Sequence, residues 1–273
     1  MLVLGIDSAT LVAGMAIMDE QHLVAEGFLQ TRKTHSERLL PLIDQWLREA
    51  ELTLADIGGI AVTVGPGSFT GLRIGLATAK GLAQATGKAL VGIPTLDALA
   101  LNLAGARGLI CPILDARKSE VYTALYVSPV PDQVIRISPY LAISPEGMLD
   151  WLQEETWPLL DKRRDVVSDF SSADEERRTE GSARPGWDAS GYGEGVTFLG
   201  DAVPVYWAQI QEKLGAKARR ALPGQNWLRA AQVAYLGMQA LKQGKKHDYR
   251  LLRPFYIRAS EAEVKWAQKK GRD

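Results

Sequence analysis

The sequence predicts an α/β protein made of two related halves. Three observations carry that expectation. The chain opens on three apolar runs parted by short polar turns and then alternates helical with strand-like segments, in the order βββαβαβα. The opening pattern, an apolar strand, an aspartate, a short turn and a second strand (LVLGIDSATLVAGMAIM), returns from Leu109 as LICPILDARKSEVYTALYV. Asp115 stands there where the first copy has Asp7. Hydrophobic residues make up 46% of the 273 and charged residues 23%, enough apolar material to fill a core.

The elements follow in order. Residues 2–6 form a buried strand ending at Asp7. Leu11–Met18 and His22–Leu29 make the next two strands, with Asp19-Glu20 as the turn between them. Thr34-x-x-Glu37 has capping-box spacing. Leu39, Leu42, Ile43, Trp46, Leu47 and Ala50 then form one helical stripe, with Pro41 early in it. Gly59–Val64 is a strand, and Ser68 or Thr70 caps a long helix that Gly87 stops. Leu90–Ile93 is a short strand, and Thr95 opens the next helix. Residues 162–195 hold 14 charges in 34 residues and are rich in Ser and Gly, which reads as a mobile insertion. Order resumes at Val196–Leu199, and Asn226 can cap a helix from Trp227 to Gln243, ended by Gly244. The tail RPFYIRASEAEVKW reads as a docked surface segment. The division expected is 1–106 and 107–273.

Charge and composition exclude several classes. The 32 basic and 32 acidic side chains cancel, so bulk charge gives no direct grip on nucleic acid. One cysteine, Cys111, makes no internal disulfide and, with three scattered histidines, no zinc site; it reads as an inert core thiol. Asp7 interrupts the first apolar run, and no segment is long and uncharged enough for a membrane span. A cytoplasmic protein is expected. A peptidase would need a nucleophile–base pair or a metal site, and the sequence offers neither.

GPGSFTGLRIGLATAKGLA, from Gly65, is the most informative segment. Gly65 and Gly67 allow unusual backbone angles before a helix N-terminus. They serve either a phosphate cradle or a tight strand-to-helix turn. The G-K-[ST] ending of a Walker loop is missing. Gly71, Gly75, Ala79 and Ala83 recur every fourth residue, with Leu72 and Leu76 beside them. Glycine inside a helix costs about 0.5–1 kcal/mol relative to alanine, so such a stripe calls for a close contact. Its own sheet or a partner helix could supply it.

GIDSA, THSERLLPLI, VTVGPGSFTGLRIGLATAKGLA and LDARKSEVYTALY, with weaker echoes in FLGDA and RPFYIRASEAE, resemble the TsaB (YeaZ) family. The resemblance covers residues 1–128 well and 196–262 loosely. It implies an actin-like, sugar-kinase-type ATPase fold with two ribonuclease-H-like halves. It also implies a subunit of the bacterial machinery that makes threonylcarbamoyladenosine in transfer RNA. The family's catalytic paralogue, TsaD, holds a metal with two histidines four apart on a helix. Thr95 and Leu99 occupy those places here, and neither suits a metal. Catalytic members carry Asp-x-Gly in the first phosphate turn, where this chain has Asp7-Ser8. They carry a Gly-Gly adenosine loop where this chain has only LGDA at 199–202.

The resemblance therefore implies a non-catalytic scaffold that pairs with a TsaD-like subunit and recruits a TsaE-like ATPase, meeting tRNA only indirectly. No cofactor is expected in its own cleft, and a homodimer is an option when it is alone. Leu39, Ile43, Gly71, Leu72, Arg73, Gly75, Leu76, Ala79 and Ala83 are the expected pairing residues. Asp7, Ser8, Gly65, Gly67, Ser68, Asp115 and Arg117 are candidates for a residual nucleotide or partner loop. Asp7 and Asp115 can instead simply bind backbone N–H groups of the adjacent turns. Arg117 and Lys118 suit a phosphate or a partner, or are plain surface charge. Arg73 suits a partner's carboxylate or solvent, and His35 a helix start or a partner contact. The alternative is an active ATP-dependent small-molecule kinase or ATPase of the same fold.

Overall fold

The computed structural model describes residues 1–30, 39–156 and 195–258. It divides into two units, Met1–Ala98 with Leu228–Asp273, and Leu99–Trp227.

Unit 1 is built on a five-stranded sheet of β1 (Leu2–Asp7), β2 (Val12–Met18), β3 (Leu23–Gln30), β4 (Ile57–Gly65) and β5 (Ala89–Pro94), in the order β3-β2-β1-β4-β5. The first three strands pair antiparallel, as short turns between consecutive strands dictate. β4 and β5 join parallel to β1 through helical crossovers. Alternation along β1 sends Leu4 and Ile6 into one core with α1 (Leu39–Glu49) and α2 (Phe69–Thr86). Gly5 and Val3 face the other way, against α6 (Ala230–Lys242). Ala230 and Ala234 of α6 sit where a side chain on Gly5 would lie, and its Gly237 abuts Ala61 and Val3. The sheet thus carries helices on both faces.

The division differs from the expected 106/107 boundary, because the chain returns to unit 1 after residue 227. The apolar stripe Val233, Ala234, Gly237 and Met238 of α6 is buried on the first sheet, not the second. Glu26 on β3 fixes that docking. Its carboxylate accepts the Arg229 guanidinium, with Nε at 3.0 Å, and the Ala231 N–H at 3.2 Å. Glu26 therefore serves the start of α6. Asn226, expected to cap it, instead accepts the Gly200 N–H at 3.3 Å, and the helix begins at Ala230. The segment after α6 lies along the same unit: the Phe255 N–H donates to Val64 O at 2.7 Å, and Leu252 is buried.

Unit 2 repeats the plan. β6 (Leu109–Asp115), β7 (Val121–Thr123), β10 (Leu141–Ile143), β11 (Val196–Leu199) and β12 (Ala218–Arg220) run in the order β10-β7-β6-β11-β12. As in unit 1, the first three positions pair antiparallel and the last two join parallel. The recurrence read in the sequence is therefore a repeat of topology. The hairpin β8 (Tyr126–Val130) and β9 (Gln133–Arg136) is extra. Leu109, Cys111 and Ile113 pack with α4 (Pro145–Asp150) and α5 (Val203–Leu214). Cys111 is fully buried against the Thr123 hydroxyl, and burial pushes its thiol up to about 12. The Thr34–Glu37 capping box, His35 and the insertion expected at 162–195, except Gly195, lie outside the described residues.

Candidate functional site

The end of β1 and the start of α2 form one interlocked structure. Ser68 caps α2, its hydroxyl accepting the Gly71 N–H at 3.2 Å, and Gly87 ends the helix at φ 69°. The turn after β1 lies directly beneath that helix start. The Ser8 hydroxyl donates to Gly71 O at 2.8 Å, and the Ser68 N–H donates to Ala9 O at 2.7 Å. A side chain on Gly67 would meet Ala9 O, one on Gly71 would meet Ser8 O, and one on Gly75 would meet Ser8 Oγ. Gly65 has φ 122° and has the backbone of Phe255 against it.

Most of the residues expected to pair lie inside unit 1. Gly71, Leu72, Gly75, Leu76, Ala79 and Ala83 are all buried within unit 1. The small stripe exists so that α2 can lie flush on the first turn and on Val62 of the sheet, and it offers no outward ridge. Leu39 and Ile43 are likewise buried, as the inner face of α1. Only Arg73 among the expected pairing residues is exposed. Sequence could not decide the direction, because close approach to a sheet and to a foreign helix demand the same small residues.

Asp7 is fully buried. Its Oδ1 accepts the Ala9 N–H at 3.0 Å and the Thr63 hydroxyl at 2.8 Å, while Oδ2 has no hydrogen-bond partner. Burial outweighs these bonds and raises the carboxyl from 3.8 to about 6. The Ala9 N–H is already bonded, and the space above the glycines is filled by the chain's own Ser8 and Ala9. Thr95 and Leu99 are fully buried in α3 (Thr95–Ala100), and the Thr95 hydroxyl lacks a partner. Among the described residues no three His, Cys, Asp or Glu side chains lie together as a metal site would need.

In unit 2 the matching turn is open. Asp115 is 49% exposed and accepts the Arg117 N–H at 2.8 Å, while Arg117 is 80% exposed. Arg117, Lys118 and Ser119 all have left-handed backbone, φ 64°, 53° and 58°. L-residues adopt that region singly at a cost of roughly 1–2 kcal/mol each, so this is a tightly wound hairpin. The LGDA turn crosses the strand beside it. Asp201 Oδ1 accepts the Asp115 N–H at 3.0 Å, and a side chain on Gly200 would meet Ile113 O. Burial first, and then the Asp115 carboxylate, raise the Asp201 carboxyl above its ordinary range.

Sequence reasoning missed two concavities in unit 1. One, of about 720 Å³, is lined by Leu40, Ile43, Leu47, Leu52, Leu54 and Leu82. Leu40, at its rim, is 51% exposed. The signal was present in Leu40, which is apolar yet off the inner stripe of α1. The other lies between α2 and residues 252–256. Among the described residues no helix is long and apolar enough to cross a membrane.

The family model described as TsaD, tRNA N6-adenosine threonylcarbamoyltransferase, matches residues 28–266. The Bacillus subtilis tRNA threonylcarbamoyladenosine biosynthesis protein TsaB is 30% identical, over 98% of this chain and 99% of its own. The Escherichia coli TsaB protein is 36% identical over 128 residues, 46% of this chain and 55% of its own. The solved YeaZ of Pseudomonas aeruginosa superposes with a TM-score of 0.67 at 20% identity, covering 94% of this chain and 99% of that one, and so shares the fold. With the repeated sheet order, this establishes the two-sheet α/β architecture, and the chain belongs to the TsaB/YeaZ family of threonylcarbamoyladenosine biosynthesis.

Proposed function

We propose that the chain is a non-catalytic scaffold. It pairs with a TsaD-like paralogue and supports threonylcarbamoyl transfer to an adenosine of tRNA, without binding ATP in its own cleft. The observation carrying this reading is the self-occupied first turn: Ser8 and Ala9 fill the space over Gly67, Gly71 and Gly75 that a phosphate would need. The buried Thr95 and Leu99 at the paralogue's ligand positions point the same way. Zero net charge fits indirect contact with tRNA. Pairing uses the apolar groove around Leu40 in place of the buried stripe, since apolar concavities of this size anchor partner side chains. A TsaE-like ATPase joins the pair, and the same groove supports a homodimer when the paralogue is absent.

The test mixes the purified chain with its TsaD-like paralogue and follows pairing by light scattering. Leu40→Glu is expected to weaken pairing at least tenfold with the fold intact. Full pairing by that variant removes the groove from the proposal. Formation of threonylcarbamoyladenosine by the chain without its paralogue refutes the scaffold reading.

A further inference from the structure

The second concavity of unit 1, about 420 Å³, lies between α2 and the segment 252–256. Its floor is apolar: Leu76, Ala77, Leu252 and Pro254. Three cations, Arg73, Lys80 and Arg253, line it, and among the described residues no carboxylate does.

Each cation is held without spending its charge on an acid lining the groove. Arg73 Nε donates to the Tyr256 hydroxyl at 3.2 Å. The Arg73 guanidinium lies 3.8 Å from the centre of the Phe69 ring, which stacks on Tyr256 at 4.9 Å. Arg253 Nη1 donates to the carbonyl oxygens of Arg250 at 2.6 Å and Leu252 at 3.4 Å. Lys80 is half-buried as a residue. Burial first, and then the Arg253 charge, lower its pKa, while Asp248 acts in the opposite sense. That aspartate is itself engaged, its Oδ1 accepting the Arg250 N–H at 2.8 Å and Arg250 Nε at 3.3 Å. The groove therefore holds excess positive charge over an oily floor, in a chain whose net charge is zero.

Those two properties together select the occupant. A nucleic-acid backbone would use the cations and leave the apolar floor without a partner. An aliphatic ligand would use the floor and leave the cations uncompensated. An acidic amphipathic stretch of polypeptide satisfies both. Arg73 and Lys80 are seven residues apart on one helix, a rise of about 10 Å. Carboxylates at i and i+7 of a helix laid alongside reach both cations, with an apolar side chain between them on the floor. We propose that the Arg73–Lys80–Arg253 groove docks an acidic helical segment of a partner protein, through paired carboxylates on its rim and one aliphatic side chain on its floor. This proposal does not rest on the pairing proposed above.

The probe is a fluorescein-labelled fourteen-residue helical peptide with Glu at i and i+7 and Leu at i+3 and i+4, titrated with the full chain and read by anisotropy. Controls replace the Glu with Gln, or the Leu with Ser, and a single-stranded RNA of twelve nucleotides is titrated in parallel. The Glu–Leu peptide is expected to bind saturably, more weakly as salt rises, and at least tenfold tighter than either control peptide or the RNA. Lys80→Glu and Arg253→Glu should each reduce binding at least tenfold. Ala77→Trp, which fills the floor and leaves every charge in place, should do the same, so the test survives if a charge reversal disturbs folding. Leu40→Glu should leave peptide binding unchanged, which keeps failure here distinct from failure of the pairing groove. The proposal is overturned if the Glu–Leu peptide does not bind, if the Gln peptide binds equally well, or if Ala77→Trp binds like the parent. Tighter binding of RNA, lost on the same charge reversals, would replace it with a nucleic-acid site.

Discussion

The two units share one sheet order and treat the aspartate at the end of their first strand in opposite ways. In unit 1 the turn after Asp7 is roofed by α2, and the carboxyl is fully buried with one oxygen unbonded. In unit 2 the turn after Asp115 winds into a left-handed hairpin and leaves its carboxylate half exposed. In both, a loop after the fourth strand of the plan crosses the first at a glycine, Gly67 against Ala9 O and Gly200 against Ile113 O. The crossing belongs to the fold, whereas the roof belongs to the glycine stripe of α2. The duplicated topology fixes where a site can be, and a few side-chain volumes decide whether it stays open.

The roof is broken most directly at Gly75, where Gly75→Leu drives a side chain into Ser8 Oγ. Overpacking of this kind should cost about 3 kcal/mol or more, read as a lower urea midpoint, and partner binding should be lost only together with the fold. If the variant keeps its stability and loses pairing alone, the stripe faces outward after all.

Asp7→Asn sharpens the contrast next. A carboxyl raised from 3.8 to about 6 in the folded state binds a proton there that the unfolded chain has released. Its favourable contribution is fully present below about pH 4 and is lost as pH rises through about 6, so the charged form costs about 3 kcal/mol at neutral pH. The difference in stability between parent and Asp7→Asn, measured by urea unfolding from pH 4 to pH 7, should change by about that amount in favour of the variant. A difference that stays flat with pH would mean that Asp7 is hydrated and the turn is open.

Smaller effects test the edges. Ser68→Ala removes the cap of α2 and should cost about 1 kcal/mol by thermal or urea unfolding. Arg117→Ala in the open turn of unit 2 should change stability by less than about 0.5 kcal/mol, since an exposed pair 3.8 Å apart is weak. A larger loss there would show that this turn, too, is load-carrying structure.

Much of this was legible beforehand where the signal is local. Ser68 and Gly87 mark the ends of α2 because a cap hydroxyl and a left-handed residue are needed at those places. The strand–Asp–turn–strand repeat announced two sheets of one plan. What sequence did not disclose is long-range. Asn226 has the chemistry of a helix cap, but Gly200 on another element takes its carbonyl. α6 finds the first sheet because Glu26, 205 positions from Ala231, receives it there. Gly65 and Gly67 leave a phosphate cradle and a tight turn both open in the sequence for the same reason, since a glycine admits a ligand or a crossing backbone equally well.

The return of α6 makes unit 2 an insertion within unit 1, with consequences during synthesis. The strands β1, β2 and β4 leave the ribosome early, yet the helix that covers Val3, Gly5 and Ala61 follows only after the whole of unit 2. Until then one oily side of that nascent sheet is without its native cover, a natural client surface for a holding chaperone, whereas unit 2 has all of its own strands before the final helix emerges.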